Sequence, residues 1–583
     1  MRIRFASFAL ALLALTSLAG PVAAQQVSPE VFELPNGMKF LLLPRKAQPN
    51  SVAAGWVAKV GSVNERPGIT GISHFFEHMM FKGTRTIGTK DAQKDGELNR
   101  AQHEARGKLR GLVLSTQYPR WVRGEIDDPW DPKHDTDEMK ALRAELQGLV
   151  DAQREVTVKD EFDSIYTGLG ASGMNAFTSH DLTFYFVGVP SNKLELWCWM
   201  ESDRLADHVF REFYAERDVV HEERRLRTES TPTGIFEEQF DALFWQSSPY
   251  HWPVIGWPSD LNSYTAEQAE EYFRTYYRPN NLVGVIVGDF ELGAAKALIT
   301  RYFGRLEQGP PPPPVVTLEM PQKGEQRMSA QCEAAPQVEV RYHSVPFGHP
   351  DEAPLEVLAE LMNGRTGRLY KALVEKQEVA TSASVRQDSR KYGGAFAFSA
   401  ECKGDATPEQ VEQAWYAELK RLQEEPLPAR ELEKVKNRIL ADSFRRLESN
   451  FFLMMQLGYY EALGGWEYIN TAPKALLAVE PAEVQRVAKQ YFAPTNRSVA
   501  TFTRKAGAAA GDPELEALDP KLRPMAKQAL AELAKADDAE ALRAELAQME
   551  SQAGQVPPEV KPLFELILRR GKERLEALEG KKQ

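Results

Sequence analysis

The sequence predicts an α+β protein made of two homologous α/β-layer halves. Three observations predict it. Apolar runs of strand length alternate with helical stretches, which is the pattern of layered helix and sheet. Five consecutive prolines, 310–314, form a stiff, extended linker partway along the 583 residues. The motif Tyr276-Tyr277-Arg278-Pro279-Asn280-Asn281, which closes a helix and opens a strand, recurs beyond the linker as Tyr491-Phe492-Ala493-Pro494-Thr495-Asn496. The halves are therefore placed at 25–308 and 315–504, with the linker at 309–314, since a chain this long exceeds a single core.

The first residues stand outside the fold. Arg2 and Arg4 precede an apolar stretch, Phe5 to Leu18, and the small residues Val22-Ala23-Ala24 follow. This is a secretory leader, 1–24, with cleavage after Ala24 and a periplasmic or secreted mature protein. The stretch is shorter than a membrane span, and no later segment reaches that length, so no stable membrane insertion is expected. A formal net charge of −12 argues against nucleic-acid binding, which needs clustered cations. Cys198, Cys332 and Cys402 are too few and too scattered for a disulfide framework or a zinc-thiolate site.

Along the mature chain, Val31 to Leu34 and Met38 to Leu43 flank Pro35-Asn36-Gly37 and read as a β-hairpin. Ser51 to Val60 is a further strand. Pro67-Gly68 breaks the chain, and Thr70 is placed to cap a helix running to Phe81. From 90 to 159 the composition turns highly charged, with helical pieces at Gln93 to Leu114 and Asp137 to Val156 around a proline-containing middle. This is a charged helical hairpin inserted into the first half. One strand from Asn175 to Val189 follows, then helices at Lys193 to Val209, Glu212 to Thr228 and Ala266 to Tyr277, then the strand Asn281 to Val287. The tail, 505–583, is rich in Ala, Leu, Glu and Lys and reads as short amphipathic helices, a helical extension.

Chemistry concentrates in His74-Phe75-Phe76-Glu77-His78, in the middle of the first predicted helix. Residues four apart share a helical face, so both imidazoles can reach one metal ion. Glu77 falls beside that face, where a carboxylate can take a proton from water activated by zinc. Zinc needs a third protein ligand, which the sequence must supply elsewhere.

The motif H-x-x-E-H resembles the zinc helix of the pitrilysin/insulinase peptidases. That family's third ligand is a glutamate ending the pattern E-R-x-x-V-x-x-E, and Glu216-Arg217-Asp218-Val219-Val220-His221-Glu222-Glu223 fits it. The resemblance implies one zinc per chain held by His74, His78 and Glu223, with Glu77 as general base and Glu216 as an auxiliary acid. Glu222 and His221 are read as a solvated helix face. Asn175-Ala176-Phe177-Thr178-Ser179 resembles the strand that holds the substrate backbone, which makes Asn175 and Ala176 the substrate-contact candidates. The second half, including Asn363 to Tyr370, resembles the family's metal-free domain.

Two departures qualify the resemblance. The interval from His78 to Glu223 is roughly twice the usual one, and the charged hairpin accounts for the excess if it leaves and re-enters the fold at neighbouring points. Val374 and Thr381 stand where active members carry an Arg and a Tyr. The chain thus resembles the zinc-bearing subunit of a dimer whose homologous subunit supplies that pair. The implied activity is zinc-dependent endoproteolysis of peptides or unfolded segments within a chamber between two chains. A non-catalytic scaffold or peptide-binding subunit, and a zinc enzyme acting on something other than peptides, remain as alternatives.

Overall fold

A computed structural model of the chain describes residues 26–505 and, in the tail, 513–516, 518–519, 522–536, 538–552, 556 and 560–580. The leader expected at 1–24 lies outside the described residues. The hairpin around Asn36-Gly37 forms as β1 (Glu30–Glu33) and β2 (Lys39–Pro44), paired antiparallel with Val31 opposite Leu41. Gly37 takes a positive φ of 85°, the conformation this turn demands. With β3 (Ser51–Ala58), β4 (Ser172–Thr178), β5 (Thr183–Pro190) and β6 (Leu282–Gly288) they build a six-stranded sheet in the order β1-β2-β6-β3-β5-β4. The edge position of β4 matters below.

The expected single strand from Asn175 to Val189 is corrected here: the chain turns back between Thr178 and Thr183, and β4 pairs antiparallel with β5. The reason is local. The Ser179 hydroxyl accepts from the N–H groups of Asp181 and Leu182, both at 3.3 Å, and Ser179 N–H donates to Leu182 O at 2.8 Å. A serine side chain bonding the backbone two and three residues on closes a turn inside an otherwise apolar run.

The second sheet holds β7 (Gln326–Cys332), β8 (Gln337–Ser344), β9 (Ala380–Ser389), β10 (Gly394–Cys402) and β11 (Arg497–Arg504), ordered β7-β11-β8-β10-β9. Leaving out β1, the strands of both sheets follow the same order, so the duplication read from sequence is visible in topology. The repeated Tyr…Asn motif does the same work twice. Asn281 Nδ2 donates to Tyr276 O at 2.9 Å, and Asn496 Nδ2 donates to Tyr491 O at 2.8 Å. Each asparagine closes the carbonyl end of a helix just before a strand begins.

One face of the first sheet is covered by α1 (Ile72–Met79), α4 (Leu194–Ala206) and α6 (Ala266–Tyr276), with Phe76, Trp197 and Tyr272 buried against Phe40, Trp56 and Tyr185. Its other face receives a helix from the second half, α7 (Asn450–Leu463). There Leu453, Met454 and Leu457 pack on Leu41, Val57, Phe184 and Val285. A Cβ on Gly458 would sit 2.6 Å from the Phe184 ring, so only glycine permits this approach.

The cap expected from Thr70 is also corrected. The Thr70 hydroxyl donates to Asp260 at 2.7 Å instead. The start of α1 is held by Glu65, whose carboxylate accepts from the N–H groups of Gly71 and Ser73, both at 2.8 Å. Glutamate reaches these donors from a loop where a threonine at the helix start points away.

The charged segment folds as α2 (Ala92–Leu112), continued by a π-helical turn and Tyr118–Val122, and α3 (Asp137–Val156). Its two ends meet: Thr89 and Thr157 form an antiparallel bridge, and Lys90 N–H donates to Val156 O at 2.8 Å. The described residues divide into a larger unit, those up to Met328 and then Val338–Thr501, and a smaller unit, Ser329–Gln337 with those from Phe502 on. In the smaller unit, helices at Arg523–Lys535, Ala539–Gln552 and Lys561–Gly580 bury Ala526, Leu563 and Leu566. All three cysteines are buried. No helix among the described residues is long and apolar enough to cross a membrane.

Candidate metal centre

Helix α1 puts His74 and His78 one turn apart on one face, with ring centroids 4.8 Å from each other. Helix α5 (Phe213–Arg224), prolonged by a π-helical turn Arg225–Glu229, packs across it and brings Glu223. Glu223 Oε2 lies 3.3 Å from His78 Nε2 and 3.6 Å from His74 Nε2. Ligand atoms of the three residues all fall within 4.8 Å of one another. Two imidazole nitrogens and a carboxylate oxygen are a donor set that can hold a divalent transition metal and leave a position open.

The donor protonation states follow from the surroundings. His78 Nδ1 meets Glu216 Oε1 at 2.8 Å, which turns Nε2 toward Glu223. Burial disfavours charge on His78, but the bonds to Glu216 and Glu223 outweigh it and push its pKa up to about 9 in the metal-free protein. Burial, then the neighbouring His78, take His74 down to about 4. Glu216 sits below the carboxylate range because His78 and Lys82 outweigh its burial. Glu223 is likewise lowered, first by its bond to His78. His74 Nδ1 is buried without a hydrogen-bond partner.

Glu77 is half-buried, and burial raises its pKa against the opposing bond from Thr178. That bond, Thr178 Oγ1 to Glu77 Oε2 at 2.6 Å, links α1 to the end of β4. A carboxylate with a raised pKa beside a donor cluster can exchange a proton with bound water.

These groups open into a cleft of about 1330 Å³ whose walls include Asn175, Ala176, Phe177 and Thr178 of the edge strand. Asn175 is exposed, and its Oδ1 accepts from Ala176 N–H at 2.8 Å; Ala176 is buried. Thr157, Val158 and Lys159, from the point where the inserted hairpin re-enters the fold, line the same cleft. An edge strand along an open cleft can pair with an extended peptide.

All the residues singled out from sequence are accounted for. His74, His78, Glu223, Glu77 and Glu216 converge; Asn175 and Ala176 line the same cleft. Glu222 is exposed and pairs with Arg225. His221, expected on a solvated face, is half-buried, because the short helix Pro258–Ser263 packs against α5 and Asn262 meets its ring. Val374 packs partly buried against the second core, and Thr381 donates to Glu401 at 2.9 Å. Sequence reasoning missed Lys82, Thr178 and Arg227. Lys82, one turn beyond His78, and Arg227, one turn beyond Glu223, carry helical spacing as a signal; Thr178 carries none.

Residues 41–105 match the model of "Insulinase (Peptidase family M16)" and residues 263–439 match that of "Peptidase M16 inactive domain". Two stretches of the chain thus match domains of the insulinase family, M16, and the resemblance to that family is borne out. It is 24% identical to the zinc protease PqqE of Helicobacter pylori over 82% of this chain and 94% of that one. It is also 24% identical to an uncharacterized zinc protease, YmxG, of Bacillus subtilis over 78% of this chain and 94% of that protein. Among solved structures, a Helicobacter pylori protease superposes with a TM-score of 0.67 at 23% identity, covering 82% of this chain and 99% of that one. The periplasmic protease PqqL of Escherichia coli gives 0.60 at 17%, covering 86% of this chain and half of that one.

Proposed function

We propose that the protein is a zinc-dependent metalloendopeptidase that hydrolyses peptides or unfolded polypeptide segments. The observation that carries this is the convergence of His74 Nε2, His78 Nε2 and Glu223 Oε2 beside Glu77, in a cleft floored by an edge strand. His74, His78 and Glu223 would hold one zinc ion. Zinc bound there supplies a Lewis acid, lowering the pKa of water toward 7 and polarising a carbonyl. Glu216 keeps the His78 ring turned, Glu77 accepts a proton from water and returns it to the leaving amine, and Asn175 and Ala176 receive the substrate backbone.

The domain assignment that goes with this reading is a metal-bearing half at 25–308 with its insertion at 90–159, a linker at 309–314, a metal-free half at 315–504 and an extension at 505–583. A periplasmic or secreted location is proposed from the leader pattern, with the periplasmic location stated for the Escherichia coli PqqL structure in support.

A second reading rests on Val374 and Thr381, whose positions in a core and on a bonded strand offer no cation or phenol to a substrate. In it the chain works as a dimer, with a homologous subunit that brings an arginine and a tyrosine; without catalysis of its own, it would serve as a peptide-binding scaffold. Cleavage of a quenched fluorescent peptide library, with zinc content measured, separates the readings. Zinc-dependent cleavage supports the first, and zinc without cleavage until a homologous subunit is added supports the second. A chain that takes up no zinc overturns the first reading and leaves the peptide-binding scaffold.

A further inference from the structure

The charged contacts around the donor cluster fall into two kinds. Arg227 Nη1 approaches Glu223 Oε1 at 2.5 Å, but its side chain is 75% exposed, and a solvated pair four residues apart on a helix is weak and screened. Lys82 is different. Its side chain is 25% exposed, and its ammonium lies 2.5 Å from Glu216 Oε2 and 3.5 Å from Glu212 Oε2. The other oxygen of Glu216 holds His78 Nδ1. The carboxylate is thus gripped at both ends, by an ammonium on one oxygen and an imidazole on the other.

The backbone of Lys82 is fixed as well. Lys82 begins a loop that Arg211, buried to 1% exposure, holds through carbonyls. Arg211 donates to Lys82 O at 2.6 Å, Thr84 O at 3.0 Å and Ile87 O at 3.1 Å, and to Asp95 of the inserted hairpin at 2.9 Å. Gly83 and Gly88 make room, since a Cβ on Gly88 would come within 2.4 Å of the guanidinium. A lysine on a freely moving loop would lose much side-chain and backbone entropy in forming this contact. Here the loop is already ordered, so the ammonium is presented to Glu216 at little further entropic loss.

We propose that Lys82 is a positioning residue for the metal centre, acting through Glu216 to fix the ring of His78. A carboxylate free to rotate could turn away from Nδ1 and release the imidazole to other tautomers and rotamers; Lys82 removes that freedom. Partners of this kind, one bond removed from a ligand, typically change metal affinity 10–100-fold. The proposal rests on the zinc reading of His74, His78 and Glu223 and extends it by one residue.

The test is a double-mutant cycle on zinc dissociation, read by competition with a chelator, with far-UV circular dichroism to verify folding. Wild type, Lys82→Met, Lys82→Arg, Glu216→Gln and the double variant Lys82→Met/Glu216→Gln are compared. The expected result is a rise of roughly 10–100-fold in the zinc dissociation constant for Lys82→Met. Lys82→Arg should restore most of it, and the double variant should be no weaker than Glu216→Gln alone. Should Lys82→Met not fold, Lys82→Gln takes its place in the cycle. Unchanged zinc affinity in the folded methionine or glutamine variant overturns the proposal, and so do losses that simply add in the double variant. Wild type that binds no zinc overturns the underlying zinc reading, an outcome distinct from either.

Discussion

Thr178 Oγ1 donates a 2.6 Å hydrogen bond to Glu77 Oε2, joining the end of the cleft's edge strand to the helix that bears both histidines. The carboxylate is therefore aimed across the cluster without being a member of it. Replacing Glu77 by Gln keeps the shape and the Thr178 contact but removes the proton acceptor. Turnover is expected to fall by about 10²–10⁴-fold, as for loss of a general base, with zinc content unchanged. Parallel measurement of hydrolysis and metal by atomic absorption checks this, and loss of metal in the variant would contradict the assignment.

Removal of metal should be felt in stability, since a ligand bound only by the folded state stabilises it by mass action. With free zinc near 1,000 times its dissociation constant the effect is about 4 kcal/mol. The wild type should therefore unfold at a clearly lower temperature after chelation, while His74→Ala should unfold at the same temperature with and without zinc. Differential scanning calorimetry decides it.

Glu65 gives a pH dependence away from the donor cluster. Full burial pushes its pKa up to about 8, against the pull of the Gly71 and Ser73 N–H groups. An acid whose pKa is raised on folding contributes most below its unfolded value near 4.3, and that contribution is lost as pH rises toward 8. Chemical-unfolding midpoints should fall between pH 5 and pH 8 in wild type. In Glu65→Gln that part of the slope should vanish; an identical slope in both proteins would rule Glu65 out as its source.

The packing of α7 on the first sheet predicts a large effect from a residue distant in sequence. Leu457 is fully buried against strands of the other half. Leu457→Ala should destabilise by about 2–5 kcal/mol, the range for emptying a packed leucine site. Denaturant titration of folded variant and wild type measures it, and a value below 1 kcal/mol would mean the helix does not anchor there.

Much of this was readable before any coordinates. The spacing of His74 and His78 needs only a helix, and the Phe75, Phe76 and Met79 that bury it announce one. The β-hairpin at Asn36-Gly37 and the repeated Tyr…Asn motif are equally local, because each is closed by hydrogen bonds spanning a few residues. Other features were misread for the same reason that local signals end. The turn at Ser179–Leu182 hides in an apolar run that looks like one long strand. The start of α1 is held by Glu65, six to eight residues from the groups it bonds, whereas Thr70, although nearer, bonds Asp260.

The sequence by itself determined the layered α+β class, the duplication and the pairing of His74 with His78 on one helical face, since composition, period and motif spacing are properties of neighbouring residues, whereas Glu223 is supplied by the family resemblance. Tertiary structure decided where β4 lies, that α7 crosses to cover the first sheet, and that Thr89 and Thr157 meet so the inserted hairpin does not part His78 from Glu223. It also decided that Lys82 reaches Glu216. These are contacts between segments tens to hundreds of residues apart, fixed by how side chains fill a shared interior, and no local periodicity encodes them.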